Sequence, residues 1–116
     1  MTTPQEIAEA FSGHRFSEAY EHLAPDVRWT LVGAGLLEGR QQVVDACEQT
    51  LAGLESTTNE FTRFLTIAHD QAVAVDSIGR YVAADGTTSV VSSCDVYEFD
   101  AGRVVAITSY TVEIDA

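Results

Sequence analysis

The sequence contains no lysine: all six basic residues are arginines, set against 18 aspartates and glutamates for a net charge of −12. Without an ε-amino group, Schiff-base chemistry and a phosphate-cradling P-loop are both excluded. So acidic a surface repels phosphate backbones and anionic lipid, which leaves nucleic acid and membrane as poor partners. Cysteine is scarce as well. Cys47 and Cys94 fall on an expected helix and an expected strand, without metal-ligand spacing, and read as small buried thiols. No pair among Asp, Glu, His and Cys has such spacing, so no metal is expected. Gly33, Gly35 and Gly39 give GxGxxxG, which is out of register for dinucleotide binding and precedes no βαβ unit, so no cofactor is expected either. No apolar run approaches the length of a membrane span. The opening residues MTTPQEIAEAF lack the basic and apolar regions of a signal peptide. A soluble, cytoplasmic protein is the expectation, and sparse thiols suit a reducing compartment.

What is present points to a packed domain. At 116 residues with 46% apolar composition, residues 1–116 suffice for one domain with one core. Thr3, Pro4 and Glu6 form a helix start, and Ile7, Ala10 and Phe11 continue it at helical spacing to Gly13. Phe16, Ala19, Tyr20 and Leu23 suggest a second short helix, with Ser17 as its cap and Pro25 as its stop. Val27–Val32 alternates as a strand, Gly33 to Gly39 reads as a loop, and Arg40–Ala52 carries a third helical stripe ended by Gly53. Four long strands follow, at about Thr57–Ala68, Ala72–Ala84, Thr87–Phe99 and Arg103–Ile114. They are separated at His69-Asp70-Gln71, at the hairpin signal Asp85-Gly86, and at Asp100-Ala101-Gly102. Gly79 is a candidate bend within its strand. The fold class is α+β: helices first, then an antiparallel meander that they cover.

Asp95 is the residue that draws attention. Alternation puts it on one strand face with Val91, Ser93, Tyr97 and Phe99, a carboxylate among mostly apolar or small neighbours. Val27, Trp29 and Leu31 share a face of the first strand. Desolvation in such surroundings disfavours the charged form of a carboxyl. Two roles would follow, as hydrogen-bond donor to a ligand carbonyl or as general acid/base. Tyr81 reads as strand packing with its hydroxyl at the rim, and so does Tyr97. Asp76 and Arg80 have the opposite parity and belong outside. His14, His22 and His69 fall at a helix break, a helix end and a turn, as solvated positions.

The succession helix–helix–strand–helix and then four long strands resembles the SnoaL-like, or nuclear transport factor 2, superfamily. The resemblance is carried by Phe16-Ser-Glu-Ala-Tyr20 through Leu23-Ala-Pro-Asp26 to Val27-Arg-Trp29, by Leu37-Glu-Gly39-Arg40, and by Asp95-Val-Tyr97-Glu-Phe99-Asp-Ala-Gly102-Arg103-Val104 leading to Ser109-Tyr110. It implies a cone-shaped fold, with N-terminal helices packed on a strongly curved antiparallel sheet. It also implies a blind pocket for a small apolar molecule and a homodimer formed through the sheet. On this picture Trp29, Leu31, Val75, Ser93, Tyr97, Ile107 and Ser109 would bind the ligand around Asp95.

The relatives' chemistries carry over unevenly. Asp95 stands where ketosteroid isomerase has its oxyanion-hole aspartic acid, a carboxylic acid kept neutral by its apolar site. The place of that enzyme's base falls on Thr30 or Leu31, and that of its tyrosine on Ile7 or Ala8. Limonene epoxide hydrolase is similar over the same hairpin, but its last-strand aspartate falls on Ser109, and Asp76 and Arg80 are wrongly spaced for its Arg–Asp pair. The expectation is therefore a pocket that binds a small hydrophobic or aromatic metabolite, with cofactor-independent isomerase, dehydratase or cyclase chemistry through Asp95. The alternative is a non-catalytic ligand carrier or dimerising adaptor.

Overall fold

The computed structural model describes residues 2–114. Helix α1 (Pro4–Ser12) begins in a full capping box: the Thr3 hydroxyl accepts from the Glu6 N–H while the Glu6 carboxylate accepts from the Thr3 N–H. Its buried face carries Ile7, Ala8, Ala10, Phe11 and Ser12, packed over β3 (Thr58–Ala68), β4 (Ala72–Val82) and β5 (Thr88–Asp100). Helix α2 (Arg40–Gly53) buries Val43 and Cys47 and lies against β1 (Leu23–Leu31) and β2 (Gly35–Glu38).

The stretch between Gly13 and Gly39 departs from expectation. The helix expected from Phe16 to Leu23 is instead two single turns of 3₁₀-helix, Phe16–Glu18 and Tyr20–His22, and Ser17 caps neither. Their i→i+3 bonds put Phe16 and Ala19 on one side, and both are buried. Leu23 is already strand. Pro25 does not stop a helix but sits where the pairing of β1 shifts register, between Leu23 and Arg28, so its missing N–H breaks no ladder. The Arg40 guanidinium secures this irregular stretch by donating to the Leu23 carbonyl, 3.0 Å from Nε. The segment from Gly33 to Gly39, expected as loop, contains β2, which pairs Trp29 with Leu37 and Arg28 with Glu38.

The six strands form one sheet in the order β2-β1-β6-β5-β4-β3, with β6 spanning Arg103–Ile114. Among the described residues only β1 and β6 run parallel; every other pair is antiparallel. The β5–β6 hairpin turns through Ala101 and Gly102, both at positive φ (52° and 78°), the two-residue geometry whose twist matches the flanking strands. Register shifts between Phe61 and Arg63 in β3, and between Val104 and Ala106 in β6 opposite Glu98 and Phe99, add local bends that curl the sheet. The bend expected at Gly79 is thus made on the partner strand, directly across from it: Gly79 pairs with Phe61. The concave face and the helices share one core, in which Leu23, Val27, Val75, Tyr97 and Ile107 are each 0% exposed.

Candidate functional site

The concave face of the sheet does not fill completely. Between it and the end of α1 lies a cavity of about 290 Å³. Phe11, Phe16, Trp29, Leu31, Phe61 and Val91 supply its apolar walls. Its polar lining comes from Ser12, His14, Ser77, Tyr81, Ser93, Asp95, Ser109 and Thr111, with Thr50 of α2 at the edge. Phe11 is the keystone of the roof, meeting Phe16, Trp29 and Tyr97 edge-on at centroid distances of 5.0, 5.1 and 5.9 Å.

Asp95 is half-buried and reaches this cavity with both carboxylate oxygens already engaged. The Ser109 hydroxyl donates to Oδ1 (2.6 Å) and the Ser12 hydroxyl to Oδ2 (2.8 Å). The Trp29 indole N–H donates in turn to Ser109 Oγ (2.8 Å). Ser12 has committed its one proton to Asp95, so the Tyr97 hydroxyl, 2.5 Å away, must be the donor to Ser12 Oγ. Two relays therefore converge on one carboxylate: Trp29 through Ser109, and Tyr97 through Ser12. Complete burial pushes the Tyr97 phenol well up, reinforced by the Asp95 charge, so Tyr97 keeps the proton it donates. The apolar surroundings expected for Asp95 are thus replaced by a polar network set in an apolar frame.

The structure sorts the expected ligand-binding residues into two depths. Trp29, Leu31, Ser93, Asp95 and Ser109 line the cavity. Val75, Tyr97 and Ile107 share the face but lie beneath it in the core, each 0% exposed, and do not line the cavity. Tyr97 in particular has its hydroxyl in the interior, not at a rim. Asp76 lies on the opposite face, where Arg63 Nε donates to it at 3.0 Å.

His14, expected in solvent, is instead a cavity residue. Helix α1 closes with the Arg15 N–H on the Ala10 carbonyl (2.8 Å) and the His14 N–H on the Phe11 carbonyl (3.2 Å), which puts His14 at the left-handed position (φ 65°) usually given to glycine. Gly13 holds the preceding position, where a Cβ would stand 2.9 Å from the Glu9 carbonyl oxygen. The glycine that reads as the helix terminator is thus needed for close approach, and the strained conformation falls to the histidine. There the ring packs beside Phe16 and Phe61 and its Nε2 lies 2.9 Å from the Tyr81 hydroxyl. Burial holds the His14 pKa below its ordinary value, partly offset by the Asp95 charge. Ser12 and His14 escape a sequence reading because they arrive through the helix end; Val91 and Thr111 were within reach, since they share the parity of Ser93 and Ser109.

A helical roof on a curled six-stranded sheet, closed round a side cavity, defines an NTF2-like α+β cone. An NTF2-like protein of unknown function from Cytophaga hutchinsonii superposes with a TM-score of 0.79 at 26% identity, over 91% of this chain and 93% of that one. A proposed polyketide cyclase from Xanthomonas campestris gives 0.71 at 19% identity (90% and 83% covered). A proposed SnoaL-like polyketide cyclase from Jannaschia gives 0.70 at 14% (96% and 90%). No curated protein matches in sequence. Residues 5–107 match the SnoaL-like domain family, and the chain belongs to that family. No helix among the described residues is long and apolar enough to cross a membrane.

Proposed function

We propose that this SnoaL-like domain binds a small cyclic or aromatic metabolite in the cavity, and that Asp95 exchanges a proton with it in a cofactor-independent isomerisation, dehydration or cyclisation. The carrying observation is a lone carboxylate, fixed by two serine hydroxyls, on the wall of a 290 Å³ cavity framed by Trp29, Phe11 and Phe61. Flat rings suit aromatic walls, and a sheltered, oriented carboxylate suits proton transfer. The similarity to two proposed polyketide cyclases agrees with this class of ligand. A second reading, a non-catalytic carrier, draws support from the two serines, which already satisfy one acceptor position on each Asp95 oxygen. Trp29 is the chain's single tryptophan. Its fluorescence, titrated with steroid-like and terpenoid compounds, should quench saturably; no quenching by any of them would favour the adaptor role. An Asp95→Asn variant that keeps binding but loses turnover supports catalysis, whereas full turnover would remove Asp95 from the proton-transfer step.

A homodimer through the outer sheet face belongs to the same proposal. Leu65 and Ile67 of β3 and Tyr110, Val112 and Ile114 of β6 lie exposed on the face opposite the cavity, Ile67 at 67% and Val112 at 61%. Such apolar side chains support burial against a second copy. Sedimentation should show a dimer that Val112→Asp weakens. The unpaired thiols of Cys47 and Cys94 support a cytoplasmic setting.

A further inference from the structure

Resting on the ligand-binding reading above, we propose that Tyr81 is the hydrogen-bond donor that recognises an oxygen acceptor on the ligand, with His14 and Gly79 as its positioning residues. The ligand would then be a flat ring system with a ketone oxygen at the Tyr81 end and a hydroxyl or acidic C–H at the Asp95 end.

The first support is proton counting. A neutral imidazole and a phenol have one exchangeable proton each, and the His14–Tyr81 bond uses one of the two. The other must sit on His14 Nδ1 or remain on the Tyr81 oxygen, pointing elsewhere. Nδ1 is buried and has no hydrogen-bond partner among the described residues. An orphaned buried N–H is rarer and costlier than an unused lone pair. The favoured tautomer therefore has the proton on Nε2, donated to the Tyr81 oxygen. That leaves the Tyr81 O–H free on a residue that lines the cavity.

The second support is steric. Tyr81 leans back along β4 over Gly79, two residues earlier on the same face. A Cβ at Gly79 would stand 3.0–3.2 Å from the phenol ring and its oxygen. The missing side chain at Gly79 is what lets the ring lie there. The third support is location. His14, Tyr81, Thr50 and Val91 also line a second, outer depression of about 410 Å³, so the pair stands between it and the inner cavity. Burial and the Asp95 charge both raise the Tyr81 pKa, which keeps the phenol a donor at neutral pH.

Calorimetric titration with 2-naphthol, 2-acetonaphthone and 6-hydroxy-2-acetonaphthone separates the two ends, and long-range ¹H–¹⁵N NMR reads the His14 tautomer. The hydroxyketone should bind the wild-type protein tightest, and Nε2 should carry the His14 proton. Tyr81→Phe and Gly79→Ala should each weaken both ketones roughly three- to tenfold, the worth of one hydrogen bond, and leave 2-naphthol unchanged. Ketone affinities unaffected by Tyr81→Phe, or an equal loss for 2-naphthol, would overturn the donor assignment alone, as would a proton on Nδ1. Failure of all three compounds to bind the wild-type protein would instead overturn the ligand-binding reading, and this inference with it.

Discussion

The two ends of the cavity are built on opposite principles. Around Asp95 a chain of hydrogen bonds closes on the carboxylate: Trp29 and Tyr97 donate to the serines, and the serines donate to the carboxylate. Around His14 the balance is incomplete, with a buried nitrogen left without a partner among the described residues and one proton more than the pair's mutual bond consumes. The chain also strains its backbone at this end, where a histidine occupies a left-handed helix terminus. A satisfied network specifies geometry, while an unsatisfied one awaits a further group. The Asp95 end is therefore structural as well as chemical, and the His14 end exists for what it meets.

The contrast breaks most severely at the roof over Asp95. Phe11, 3% exposed, supports both relay donors, so Phe11→Ala should cost about 3–5 kcal/mol in urea unfolding, the range for deleting a buried ring. Next comes a matched pair of hydroxyl deletions. Tyr97→Phe removes the donor to the Ser12 hydroxyl and should cost about 1–2 kcal/mol. Tyr81→Phe should cost under about 0.5 kcal/mol, because cavity water can replace its contact with His14. Equal losses would erase the distinction between a structural end and a binding end.

The smallest effect is in the pH dependence. The His14 pKa is lowered in the folded chain, so the folded state binds fewer protons there than the unfolded state, whose value is near ~6.5. The stability associated with neutral His14 is full above that value and is lost as pH falls through the lowered folded pKa. His14→Asn, which tolerates the left-handed backbone, should show a shallower decline in urea midpoint between pH ~7.5 and ~5 than the wild-type protein. Parallel declines would show that His14 does not titrate as an inward-facing group.

Much of the fold was legible because strands announce themselves by alternation and turn chemistry. The bounds of β3 to β6 fall within two residues of those expected from the breaks at His69-Asp70-Gln71, Asp85-Gly86 and Asp100-Ala101-Gly102. The errors cluster between Gly13 and Gly39, where local signals carried two meanings. Pro25 can end a helix or occupy a strand irregularity, and only the pairing of Leu23 with Val104 decides. Of the site, strand parity together with the family resemblance placed Asp95, Ser93, Ser109 and Trp29 on the cavity side. Parity cannot set depth, and Val75, Tyr97 and Ile107 share that side although they form the floor. His14 and Ser12 depend on how α1 ends, a matter of three-dimensional closure that no spacing in the sequence encodes.

The most direct test is a crystal structure of the protein with 6-hydroxy-2-acetonaphthone. The ring should lie between Trp29 and Phe61, with the ketone oxygen about 2.7–2.8 Å from the Tyr81 phenol oxygen and the hydroxyl on the Asp95 carboxylate. A molecule bound in the reverse orientation, bound outside the cavity, or touching neither Tyr81 nor Asp95 would contradict that arrangement.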